Sequence, residues 1–175
     1  MRYVIVCLIK GNALKFHERL VEDVCYKYNV KRQKLPAHFT IKAPFETYNI
    51  KEIEHLTENF AEENHGYPIL INSTGHFGMS TVFMKVELSD GALKVYKKFI
   101  DELKKIKSLE WRGIHDGEGN NFHCTVVTHL TNDNFSNIWD YVSKCNPQFS
   151  TYFDNISILR WDKNKWITYK EYQLK

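Results

Sequence analysis

The sequence predicts an α+β fold in which two antiparallel sheets form a central groove and helices pack outside. Three observations carry that reading. Strand-like and helix-like hydrophobic periods alternate along the chain, two pairs of neighbouring strands are joined by hairpin-length connections, and the order strand, helix, strand, strand occurs in both halves. A chain of 175 residues with 43% hydrophobic content can bury one substantial core without disulfides or a structural metal. A single domain over residues 1–175 is expected, made of two similar lobes.

Residues 3–9 form a continuous apolar run of strand length. The run is far short of the roughly 20 residues needed to span a bilayer, and no small-residue cleavage site follows it, so it reads as a buried first strand. Residues 14–28 place Leu14, Phe16, Leu20, Val21, Val24, Cys25 and Tyr28 at helical spacing. Residues 37–45 alternate like a strand and stop near Pro44, and 50–63 return to helical spacing through Ile50, Ile53, Leu56, Phe60 and Ala61. Strands are predicted at 68–77 and 81–88 around Gly78-Met79-Ser80. A helix at 91–107 follows, with Ser89 and Asp90 as capping candidates.

After the loop His115-Asp116-Gly117-Glu118-Gly119-Asn120-Asn121, residues 122–130 read as a strand and 133–144 as a helix opened by Thr131 to Asp133. Two further strands are predicted at 152–160 and 165–174, around the turn Asp162-Lys163-Asn164. The halves share little sequence, so the repeat is architectural.

The four cysteines lie far apart with no CxxC pair, which suits reduced, largely buried thiols better than a disulfide framework or a zinc site. A cytoplasmic location and no membrane association are expected on that basis. The net charge of +3 is small and the lysines are dispersed, which argues against duplex DNA as a partner while leaving room for a local basic groove.

Side chains alternate faces along a strand, so His38, Thr40 and Lys42 are expected to point one way, and His123, Thr125 and Val127 likewise. If the apolar face of each strand packs on helices, both His/Thr pairs line one groove. The bare tripeptide is not specific, because His55-Leu56-Thr57 and His129-Leu130-Thr131 share it. His55 lies in a helical pattern, where residues two apart face nearly opposite ways, and reads as surface. Thr131 is better used as a helix N-cap, while His129 keeps a supporting role open.

The stretches HFTI at 38–41 and HCTV at 123–126, separated by 85 residues, resemble the paired motifs of the 2H phosphoesterase superfamily. That family includes bacterial 2′-5′ RNA ligases and 2′,3′-cyclic phosphodiesterases. The resemblance covers nearly the whole chain. It implies that His38 and His123 are a catalytic pair, that Thr40 and Thr125 bind phosphate, and that the substrate is a nucleotide or RNA end with a cyclic or 2′-linked phosphate. Some relatives carry arginines where this chain has Lys42 and Thr128. Lys42 is a candidate phosphate-binding cation that would act as a point charge without the bidentate fork of arginine.

The residue types suit that chemistry. One imidazole can take a proton from the nucleophile while another protonates the departing oxygen, since an unperturbed histidine pKa of about 6.5 allows one neutral and one charged ring near neutral pH. No cofactor and no metal are expected, and a monomer is expected. The 115–121 loop holds a histidine and two carboxylates but lacks the ligand spacing of an EF-hand or zinc motif. It reads as a loop beside the site, a lid or a plain solvated turn. Among the aromatics Phe45, Phe122, Trp161, Trp166 and Tyr169, the candidates for stacking on a nucleobase are Phe122, Trp161 and Tyr169. An RNA- or nucleotide-binding module without turnover is the alternative function. A metal phosphatase is a third, for which the sequence offers no convincing ligand set.

Overall fold

The computed structural model describes residues 1–111 and 121–175. Its elements are β1 (Arg2–Leu8), α1 (Gly11–Tyr28), β2 (His38–Glu46), α2 (Ile50–Glu63), β3 (Tyr67–Phe77), β4 (Thr81–Leu88), α3 (Asp90–Lys104), β5 (His123–Thr128), α4 (Asn132–Ser143), β6 (Gln148–Phe153), β7 (Asn155–Asp162) and β8 (Lys165–Gln173). The predicted α+β architecture is present. One four-stranded sheet runs β2-β1-β7-β8, the other β5-β4-β3-β6, and every pairing in both is antiparallel.

The two halves exchange hairpins. The β3–β4 hairpin follows β2 in the chain but joins the sheet of β5, and the β7–β8 hairpin follows β5 but joins the sheet of β2. Each HxT strand is thereby left at the edge of its own sheet, and these two edges, β2 and β5, lie against each other. Helices α1 and α4 pack on strands of the β5 sheet and α2 on β7 and β8, while α3 touches β2, β3 and β4. One core of buried side chains from both sheets and all four helices fills the space between these layers. A smaller cluster of Val4, Val6 and Leu159, with Leu8, Leu35 and Trp166 packed against it, covers the other face of the β2-β1-β7-β8 sheet.

The C-terminal pattern needs a correction. Residues 152–160 read as one strand, but the chain breaks at Asp154 into β6 and β7, which belong to different sheets. Asn155 marks the break. Fully buried, it accepts from the Leu8 backbone N–H at 2.9 Å and donates to the Leu8 carbonyl at 3.0 Å, fixing the end of β1. Strand β5 also stops two residues early, because His129 adopts the left-handed region at φ 60°, which cannot continue a ladder. All four cysteines are free. Among the described residues no helix is long and apolar enough to cross a membrane.

Candidate active site

Both HxT strands depart from regular pairing at the same place. In β2 the register to β1 shifts between Thr40 and Lys42, and in β5 the register to β4 shifts between Thr125 and Val127. An extra residue therefore sits at the fourth position of each motif, Ile41 or Val126, and both of these side chains are buried. Such a bulge reverses the side-chain parity of the residues beyond it. His38 and Thr40 pair with Leu8 and Val6, on the face carrying the smaller cluster. His123 and Thr125 pair with Lys85 and Phe83.

The same bulge corrects the expectation for Lys42. It pairs with Ile5, a core residue, and is fully buried, with its ammonium 4.9 Å from the centre of the Trp111 ring and 5.7 Å from that of Phe45. Lys42 is thus not presented to the groove with Thr40. Val127 likewise pairs with buried Val82 and is itself buried instead of following Thr125.

The two histidines are oriented alike. His38 Nδ1 lies 2.6 Å from the Pro36 carbonyl oxygen, and His123 Nδ1 lies 2.9 Å from the Asn121 carbonyl oxygen. A carbonyl only accepts, so each Nδ1 carries the hydrogen. Their surroundings differ. His38 is buried, and that burial pushes its pKa down to about 4, with the nearby His123 and His17 lowering it further against the opposing bond to Pro36. His123 is half-buried, and its ring packs edge-on to Phe77 at 4.8 Å between centroids and against Phe83 at 5.0 Å.

Two supporting residues escaped the sequence reading. His17 on α1 donates from Nε2 to the Thr125 carbonyl at 2.8 Å, and Gln33 donates its side-chain N–H to the same oxygen at 2.7 Å. His17 is buried on the face it shares with Ala13, Leu20, Val21 and Val24, a helical spacing that could have identified it. Gln33 sits in the segment between α1 and β2, which has no periodicity to read. That segment touches both motifs, since Pro36 accepts from His38 and Gln33 donates to Thr125.

The aromatic candidates separate. Phe122 packs inward, its ring 5.7 Å from Phe39 and 4.8 Å from Tyr96, both buried. Tyr169 faces α2, where its hydroxyl donates to Glu54 Oε1 at 2.8 Å and its ring meets Tyr3 at 5.8 Å. Trp161 instead pairs with Trp166 across β7 and β8, their rings 5.4 Å apart and nearly edge-to-face, so Trp166 and not Tyr169 is its companion.

His55 is an exposed helix residue 3.3 Å from Asn59, as its helical setting suggested. Thr131 is the N-cap of α4, its backbone N–H bonded to Asn134 Oδ1 at 2.9 Å. The 115–121 loop lies outside the described residues apart from Asn121. Among the described residues no group of three or more histidine, cysteine or acidic side chains is placed to hold a metal ion.

A family model described as the 2′-5′ RNA ligase superfamily matches residues 12–165. The solved structure of TT0787 from Thermus thermophilus superposes with a TM-score of 0.68 at 12% identity, over 99% of this chain and 98% of that one. E. coli LigT complexed with 3′-AMP gives 0.62 at 11% identity, over 99% and 97%. LigT has also been solved with ATP, with NADP+ and with phosphate. Usb1 of Kluyveromyces marxianus gives 0.50 at 15% identity, over 99% and 98%. At these identities the structural likeness concerns the fold alone. No curated protein matches the chain.

Proposed function

The chain belongs to the 2′-5′ RNA ligase superfamily, and we propose that it is a metal-independent phosphoesterase acting on a 2′,3′-cyclic or 2′-5′ phosphodiester of RNA or nucleotides. One observation carries the reading: two bulged HxT strands, brought edge to edge, hold His38 and His123 by the same backbone hydrogen bond. A structural histidine needs no such counterpart. The family membership and the fold shared with LigT, which has been solved with 3′-AMP and with phosphate, support the same class.

In this mechanism His38 is the general base, because burial keeps its imidazole neutral well below the ordinary histidine range. His38 Nε2 takes a proton from water as the water oxygen bonds to phosphorus. The bond from phosphorus to one ribose oxygen breaks on the far side, and His123 gives its Nε2 proton to that oxygen. A phosphomonoester and a free hydroxyl result. The two protonated states are then exchanged with solvent before the next turnover. Thr40 and Thr125 donate hydroxyl hydrogens to the non-bridging oxygens, where charge builds in the transition state. His17 and Gln33 act through the Thr125 carbonyl, holding the second motif in position.

The test is hydrolysis of 2′,3′-cyclic mononucleotides and of a short RNA with a cyclic end, in EDTA, by the wild type and by the separate Thr40→Val and Thr125→Val variants. Turnover that survives chelation, and that falls about 10²-fold on loss of either hydroxyl, is expected. Retained binding of these ligands with no turnover would favour a nucleotide-binding module. Abolition by EDTA would favour a metal phosphatase.

A further inference from the structure

Next to Gln33, which bonds to the Thr125 carbonyl, a cavity of about 670 Å³ opens, a size typical of ligand sites. Its floor comes from the sheet face that carries His38 and Thr40, through Arg2 on β1, Pro44 on β2, Trp161 on β7 and Trp166 on β8. Thr128 and His129, at the end of β5, close one side. The remaining wall is the segment between α1 and β2, with Lys31, Arg32 and Lys34.

Charge and shape agree on what fits there. Four cationic side chains line the cavity, no carboxylate does, and none of the four is in an ion pair among the described residues. Arg2 lies 5.8 Å from the Trp166 ring centre and Lys34 lies 5.1 Å from that of Trp161, so cations and rings form one surface. A flat ring bearing an anionic group matches such a surface, and a nucleotide is that ligand. The wall segment is also fastened to the reaction centre. Within it Gln33 holds Thr125 and Pro36 holds His38, so the cations are fixed relative to both motifs.

We propose that this cavity binds the nucleotide adjacent to the reacting phosphodiester, its phosphate on Arg2, Arg32 and Lys34 and its base against Trp161 or Trp166. The preferred substrate is then a single-stranded oligonucleotide of two or more residues, not a cyclic mononucleotide. A base must be unstacked to reach these rings, which duplex substrates do not allow. The inference rests on the phosphoesterase reading for its turnover arm only.

Two measurements separate the ideas. The first compares kcat and KM of the wild type and of Arg32→Ala/Lys34→Ala on a 2′,3′-cyclic mononucleotide and on a trinucleotide with a cyclic end. A wild-type KM at least tenfold lower for the trinucleotide is expected. The double variant should lose most of that advantage while its mononucleotide constants change less than twofold. The second is fluorescence anisotropy of a labelled trinucleotide ending in a 3′-phosphate, which needs no catalysis. Binding should weaken about tenfold or more in the double variant and with added salt. Turnover without discrimination between the substrates would overturn the subsite and leave the phosphoesterase standing. Binding that depends on Arg32 and Lys34, with no turnover, would do the reverse. Equal weakening on both substrates would also overturn the subsite.

Discussion

His38 and His123 make the same hydrogen bond, each from Nδ1 to the carbonyl of the residue two positions earlier, Pro36 at 2.6 Å and Asn121 at 2.9 Å. The match extends to the bulge three residues after each histidine. What differs is burial: His38 is buried, whereas His123 is half-buried. The pair is alike in geometry and unlike in environment.

The environment of His38 fixes a pH dependence. Its folded pKa is about 4 against roughly 6.5 in an unfolded chain. The unfolded state therefore binds the proton more readily below pH 6.5. The stabilisation is complete above pH 6.5 and is lost as the pH falls towards 4, by roughly 3 kcal/mol over that window. Burial shifts His17 in the same direction and adds to the loss. Urea unfolding of the wild type and of His38→Asn between pH 7 and 4 should show a shallower slope for the variant; equal slopes would contradict the assignment. In the wild type the acid limb of kcat/KM should likewise lie well below pH 6.5.

Gly75 is tied to His123 through a ring. A Cβ at position 75 would lie 2.6 Å from Phe83 Cε2, and Phe83 packs against the His123 imidazole. Gly75→Ala should cost about 1–3 kcal/mol by overpacking and should move the His123 ring. Imidazole NMR signals of His123 should shift while those of buried His38 stay in place, and activity should fall. Unchanged His123 signals would show that Phe83 yields elsewhere.

Glu54 provides the contrast of a buried charge outside the groove. Burial pushes its carboxyl up, but bonds from Lys170 at 2.7 Å, Tyr169 at 2.8 Å and Lys51 at 3.1 Å outweigh that and bring it down to about 2. Glu54→Gln should lower stability by about 1–3 kcal/mol near neutral pH, an effect that fades as the pH falls from about 4.5 towards 2. Its activity per folded molecule should equal that of the wild type. A selective loss of kcat would place the α2 face in the reaction.

Much of this was legible in the sequence because hydrophobic period reports local structure well. The α+β class, the four helices, the β3–β4 hairpin and the strand setting of HFTI and HCTV all follow from spacing. Bulges do not, since they depend on the partner strand. That is why Lys42 falls on the core side with Ile5, and why Val127 does not follow Thr125. Tyr169 and Trp166 have similar neighbours in sequence, but strand parity with Trp161 sends one to α2 and the other to the cavity. The break at Asp154 sits inside a run that reads as continuous, and only the pairing of β6 with β3 reveals it. Residues 30–36 carry no pattern at all, yet they join the cavity to both motifs.

The most direct measurement is single-turnover hydrolysis of a cyclic-ended RNA by His38→Ala, His123→Ala and the double variant, with folding checked by circular dichroism. Groups that act as one unit are strongly non-additive, so each single variant should lose at least about 10³-fold in rate and the double variant little more. Either single variant retaining near wild-type rate, or losses that simply multiply, would contradict a shared two-histidine mechanism.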